Sequence, residues 1–239
     1  MLYKIPSENI LFIDIETVPN HYRYNELSPE AQTLWDEKTR FIQQREEKDA
    51  GEVYDRAGIY AEFGKVICIS MGYVHHTAGE KKLRLTSFAD DNEEELLSSF
   101  AKMINDRFSS SSFFLCGHNI KEFDIPYLCR RMLINGIQLP DMLNLAGKKP
   151  WEVPHLDTLE LWKFGDYKHY TSLKLLAHIF GIPSPKEDIS GADVARVYYE
   201  EKDLEKIVRY CERDVVAVAQ LLFSMKGEPH IAEKNVVVV

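Results

Sequence analysis

Apolar positions run along this chain in two rhythms. Residues 9–15, 64–74 and 83–88 are apolar and β-branched, and turn-forming Ala78-Gly79-Glu80 lies between the last two; three hairpin-joined strands are predicted. Residues 92–108 change rhythm, with Leu96, Leu97, Phe100 and Ile104 on one side of an amphipathic helix. A fourth strand at 113–116 runs into Gly117, and a helix at 125–135 carries Pro126 in its first turn and Gly136 at its end. A loop at 136–154, a short strand at 155–158 and helices near 171–180, 191–200 and 203–225 complete the order. Hairpin strands followed by alternating helix and strand predict an α/β fold, a mixed five-stranded sheet with helices on both faces.

Residues 20–63 interrupt this order between the first two strands. Ser28 is placed to cap a helix that Pro29 opens, and Leu34, Lys38, Phe41 and Arg45 follow at helical spacing. With 239 residues, no internal repeat and no long linker, the expectation is one domain bearing a helical insertion at about 20–63.

Composition narrows the class. Apolar residues make up 45% and charged residues 28%, an ordinary balance for a globular protein. No apolar run approaches the ~20 residues needed to cross a bilayer, and the first residues lack the apolar core of a signal peptide, so no membrane partner and a cytoplasmic location are expected. Cys68, Cys116, Cys129 and Cys211 form no C-x-x-C pair and lie in apolar stretches, which suits buried free thiols. The net charge of −9 argues against a protein that coats long duplex nucleic acid. Residues 121–174 nevertheless hold eight Lys/Arg against seven Asp/Glu, a locally neutral surface suited to gripping a few terminal nucleotides.

The candidate chemistry lies in three motifs. Asp14 and Glu16 stand two apart in Phe12-Ile13-Asp14-Ile15-Glu16-Thr17, so both leave one face of the first strand while Ile13 and Ile15 leave the other. Asp124 closes His118-Asn119-Ile120-Lys121-Glu122-Phe123-Asp124, where loop becomes helix. Tyr210 and Asp214, four apart, share a face of the last helix with Ile207 and Ala217. Each has an ordinary explanation alone: an exposed strand edge, a helix-capping aspartate, a core tyrosine, a paired structural acid. A single pocket explains all of them, because clustered acids repel unless cations hold them, as in two-metal phosphodiester-cleaving sites. Asp157, in His155-Leu156-Asp157-Thr158, is a fifth acid at a strand end and suits a supporting role better than ligation.

Taken together, the three motifs resemble those of the DnaQ-like 3′–5′ exonucleases, which have a ribonuclease-H-like fold. Those around Asp14 and Tyr210 are most similar to the proofreading exonuclease domain of family B DNA polymerases. That family divides by a histidine five residues, or a tyrosine four residues, before the last aspartate. Arg209 and Tyr210 occupy those positions here, so the chain resembles the tyrosine (DEDDy) branch. The resemblance implies a stand-alone, metal-dependent hydrolase releasing nucleoside 5′-monophosphates from 3′ ends with two Mg²⁺ or Mn²⁺ ions. Asp14, Glu16 and Asp214 would hold one ion, Asp14 and Asp124 the second, and Tyr210 would orient the attacking water.

Candidate substrate contacts are Thr17, Asn119 and Phe123 beside the motifs, with Trp162 and Lys168 in a stretch that interleaves aromatics and cations through Tyr170. The expected partner is a single-stranded nucleic acid 3′ end, DNA by the family-B-like motifs. RNA is the alternative within the same fold. A non-catalytic nucleic-acid-binding protein is the alternative outside it, disfavoured because all four acids are present.

Overall fold

The computed structural model describes residues 3–77, 79–109, 111–166, 170–183 and 189–239. Its strands are β1 (Ile10–Pro19), β2 (Gly64–Thr77), β3 (Glu80–Ala89), β4 (Phe114–Gly117), β5 (Leu156–Asp157) and β6 (Val236–Val238). They form one mixed sheet in the order β5-β4-β1-β2-β3-β6. Pairings β1–β2 and β2–β3 are antiparallel, and β1–β4, β4–β5 and β3–β6 are parallel. The five expected strands are therefore joined by a sixth, because the C-terminal valines pair along β3. This is the mixed sheet of a ribonuclease-H-like fold.

Helices α1 (Pro29–Glu46), α2 (Glu93–Arg107), α3 (Asp124–Ile134), α4 (Thr158–Lys163), α5 (Leu173–Ile179), α6 (Val194–Arg196) and α7 (Leu204–Lys226) surround it. The expected helix near 191–200 is irregular: a 3₁₀ turn leads into α6, and Val197–Glu201 is a π-helical turn. Apolar spacing does not distinguish these windings, which differ by one residue per hydrogen bond.

β1 lies in the middle of the sheet, and its alternation sorts the core. Leu11, Ile13 and Ile15 join Leu96, Leu97 and Phe100 of α2 and Ile125, Leu128 and Met132 of α3 in one apolar layer. On the other face, Ile10 and Phe12 pack with Val215, Leu222 and Phe223 of α7, and Val18 packs with Ile207 and Cys211. Between Phe12 and Val18 on that face stand Asp14 and Glu16. α7 comes very close to the sheet there: a Cβ on Gly72 would lie 2.9 Å from Val215 Cγ1.

The insertion builds a small core of its own around Trp35, with Leu27, Ala50, Val53, Tyr54 and Ala57. The Trp35 indole N–H donates to the Ala50 carbonyl at 2.7 Å. Ser28 caps α1 as its sequence predicts, accepting from the Ala31 N–H. Leu34 and Phe41 lie on the exposed side of α1, while Trp35 and Thr39 face inward.

Candidate active site

Three elements deliver the acids. β1 carries Asp14 and Glu16 toward α7 from a central strand, which removes the exposed-edge explanation for the pair. Glu16 is only 8% exposed, and Asp14 is half-buried.

Asp124 is the first residue of α3 and 4% exposed. It does not cap that helix, since Phe123 holds the N-cap position without a side-chain bond. Its carboxylate lies toward its own N–H and that of Ile15, which lower its pKa against the burial that raises it. β4 pairs with β1 only as far as Phe12, so the β1 backbone beyond that point has no neighbouring strand on this side.

The loop before α3 is tightly set. A Cβ on Gly117 would lie 1.9 Å from Ile120 Cγ2 and 2.8 Å from the Ile13 carbonyl, so glycine is required where the chain folds back over the strand end. Asn119 follows in the left-handed region, φ 69°. Buried Asp157 then organises the turn: Oδ1 accepts from the Asn119 N–H at 2.9 Å and Oδ2 from the Lys121 N–H at 3.1 Å. The same carboxylate caps α4 through the Leu159 and Glu160 N–H groups.

α7 contributes Tyr210 and Asp214, though not from its core stripe. The buried stripe is Ile207, Cys211, Val215, Val218 and Leu222; Tyr210, Asp214 and Ala217 flank it, half-buried. Displacing the stripe by one residue puts the polar pair at the lip of the helix–sheet interface, where it can meet both the β1 acids and solvent. The Tyr210 hydroxyl lies close enough to Asp214 for that acid to raise its pKa.

The electrostatics follow from this crowding. Burial, then Glu16, Asp124 and Asp214, push the Asp14 carboxyl well above the usual range. Glu16 is raised likewise, by burial first and then by Asp214, Cys68 and Asp124. Burial raises Asp124 to about 7, with Asp157 adding to the effect. Tyr210 is held firmly protonated by burial and by Asp214, Glu16 and Asp14. Asp14 and Glu16 thus each feel Asp124 and Asp214 within one cluster. Ligand atoms of Asp14, Glu16 and Cys211 lie within 4.8 Å of one another. A hard divalent cation with oxygen ligands fits such a donor set.

The other candidates fall into place unevenly. The Thr17 hydroxyl is engaged inside the protein, donating to the Gly58 carbonyl at 2.8 Å. Phe123 is half-buried against Tyr127, ring centroids 5.4 Å apart, and half-buried Asn119 sits in the Asp157-bound turn. Trp162 packs edge-on to Phe180 at 5.7 Å, beside Leu176 and Leu221, so its ring belongs to packing between α5 and α7. Lys168 lies outside the described residues. Among the described residues of that stretch, the exposed aromatics are Phe164, 88% exposed, and Tyr170, 69% exposed and edge-on to His118. Helical spacing from Asp214 could have singled out Cys211, three residues earlier, whose thiol contacts Asp14 at 3.3 Å. Nothing in the sequence pointed to the meeting of Tyr170 with His118, which lies 52 residues earlier.

Comparison with known families adds one finding. Residues 59–226 match the family described as a predicted 3′–5′ exonuclease related to the exonuclease domain of PolB. The matched stretch holds Asp124, Tyr210 and Asp214, while Asp14 and Glu16 lie upstream of it. No curated protein matches the chain. Among the described residues no helix is long and apolar enough to cross a membrane.

Proposed function

Because the chain belongs to the family of predicted 3′–5′ exonucleases related to the exonuclease domain of PolB, we propose that it removes nucleoside 5′-monophosphates from DNA 3′ ends with two divalent cations. The convergence of Asp14 and Glu16 from β1, Asp124 from α3 and Asp214 from α7 carries this reading, with Tyr210 beside them. We take residues 1–239 as one exonuclease domain with a helical insertion at about 20–63.

Asp14, Glu16 and Asp214 are the residues to hold one cation, and Asp14 with Asp124 to hold the second. Mg²⁺ or Mn²⁺, when bound, neutralises the cluster, polarises the scissile phosphate and lowers the pKa of the attacking water. Tyr210 remains protonated beside three carboxylates, so its part is to orient that water through its hydroxyl rather than to take its proton. Asp157 holds the turn that carries Asp124 and stays out of the ligand set. The exposed face of Tyr170 suits stacking with a base, because every base offers a π-face.

The test uses matched 5′-labelled and 3′-labelled single-stranded DNA and RNA with Mg²⁺, Mn²⁺ or EDTA. Stepwise shortening of the 5′-labelled strand, with early mononucleotide release from the 3′-labelled one and none in EDTA, is expected. Faster loss of DNA than RNA is expected as well. A folded protein that binds either polymer but cleaves neither under any metal condition would overturn the enzyme reading in favour of a binding role.

A further inference from the structure

The buried face of α7 places Cys211 directly behind the β1 acids. Its Sγ lies 3.3 Å from Asp14 Oδ2 and 3.4 Å from the Asp14 carbonyl oxygen. A carbonyl oxygen can only accept, and so can a carboxylate, so the thiol hydrogen is the donor in this contact. Cys211 has no exposed surface, and Val18 and Ile67 share its cluster, which leaves the thiol no water to serve instead. Its neighbour Cys68, the cross-strand partner of Glu16, acts with burial to hold the Cys211 thiol protonated. The Cys68 sulfur lies 3.7 Å from Ser70 Oγ, which meets Ser87 Oγ at 2.9 Å; Ser87 in turn donates to Glu212 at 2.8 Å. A connected row of polar side chains thus runs from Cys68 to Glu212 behind the acids, while the Cys211 thiol points at Asp14.

We propose that Cys211 is a positioning residue for Asp14: its S–H···O contact fixes the carboxylate so that one oxygen remains presented to the cation. The inference rests on the metal-dependent reading of the site and deepens it. On that reading Asp14 would serve both cations, so a rotated carboxylate would disturb both. A soft thiol suits this position, because as a weak donor it steers the carboxylate without competing for a hard cation. Removing a group that holds a metal ligand from behind typically lowers metal affinity by about 10–100-fold.

The experiment titrates Mn²⁺ into the full-length protein without nucleic acid, following free Mn²⁺ by electron paramagnetic resonance. Wild type is compared with Cys211→Ser, Cys211→Ala and Cys211→Val, and circular dichroism and thermal melts report the fold of each. Serine keeps a donor, whereas alanine and valine remove it, one leaving space and the other filling it. The expected result is about tenfold weaker Mn²⁺ binding in both donorless variants, the scale of losing an outer partner of a ligand, with Ser close to wild type. A purely packing role predicts the reverse order, with the buried hydroxyl the most disruptive and Val or Ala well tolerated. Wild-type affinity in Ala and Val, or a Ser variant as weak as they are, would overturn the inference and leave the metal-site reading intact. No Mn²⁺ binding by wild type would overturn both.

Discussion

Asp14 and Glu16 are each costly to the metal-free fold, and that cost is measurable. Removing one carboxylate from a mutually repelling, buried set relieves repulsion while deleting a ligand, a common trade between stability and function. Asp14→Asn and Asp214→Asn should therefore lose cleavage by on the order of 10³-fold, the scale of several kcal/mol of transition-state stabilisation. In EDTA Asp14→Asn should melt higher than wild type. The pH dependence carries the same signature. An acid whose folded pKa is raised makes the folded state bind protons more tightly, so stability falls as pH rises from the unfolded to the folded pKa. For Asp124 that window runs from 3.8 to about 7, and Asp14 and Glu16, raised by burial and by their neighbours, carry the same sign. Buried His155, its pKa lowered to about 4, has the opposite sign, with stability lost as pH falls below 6.5. Thermal melts at pH 6.5 and 8.5 stay above the His155 window. In EDTA the melting temperature should drop across that interval, and saturating Mg²⁺ should largely abolish the drop, because bound cations replace the missing protons. An equal drop with and without Mg²⁺ would place the effect elsewhere.

At the scale of elements, the strand–loop–helix unit that delivers Asp124 depends on Asp157 more than its sequence suggests. Alternation and spacing made the motif acids legible: Asp14 and Glu16 share a strand face, and Tyr210 and Asp214 share a helix face. Spacing did not reveal that α7 buries Ile207, Cys211 and Val215 and keeps Tyr210 and Asp214 at the lip, because the two stripes differ by a single residue in rotation. Nor could it show that one carboxylate accepts from four backbone N–H groups of two segments, a pairing made only by the fold. Asp157→Ala should leave those buried donors unpaired and cost about 1–3 kcal/mol per uncompensated group at most, read from urea melts. It should also weaken Mn²⁺ binding, since the turn no longer fixes Asp124. Asp157→Asn keeps an acceptor oxygen and should fall between Ala and wild type on both measures. Loss of stability with unchanged Mn²⁺ affinity would separate Asp157 from the site.

At the scale of the molecule, the insertion is attached at a point that the sheet closes by itself. Pro19 pairs with Gly64, and the Asn20 N–H donates to the Phe63 carbonyl at 2.8 Å, so β1 and β2 meet as a hairpin whose loop is the insertion. Gly58 also returns to within contact of Pro19, since a Cβ there would lie 3.2 Å from Pro19 Cδ. The boundaries near 20 and 63 were legible because Pro19-Asn20 ends one apolar run and Gly64 begins the next. The separate Trp35-centred core was not, because its members are scattered from Leu27 to Ala57. Replacing residues 21–56 with three glycines should therefore give a folded protein, as a short flexible bridge across touching ends costs little closure entropy. The variant keeps the Gly58 carbonyl that holds the Thr17 and Tyr127 hydroxyls and the Ala61 carbonyl that accepts from Arg131. It loses Tyr22, whose ring stacks on Tyr199 at 4.8 Å while Tyr199 anchors to the Pro19 carbonyl. That aromatic pair ties the insertion to the π-helical turn preceding α7. Cleavage should persist with kcat near wild type, while KM for a single-stranded substrate rises several-fold as the rim beside the acids is lost. An unchanged KM and product-length distribution would remove the insertion from substrate handling. Abolished cleavage in a variant that still binds Mn²⁺ like wild type would give the insertion a direct part in the reaction.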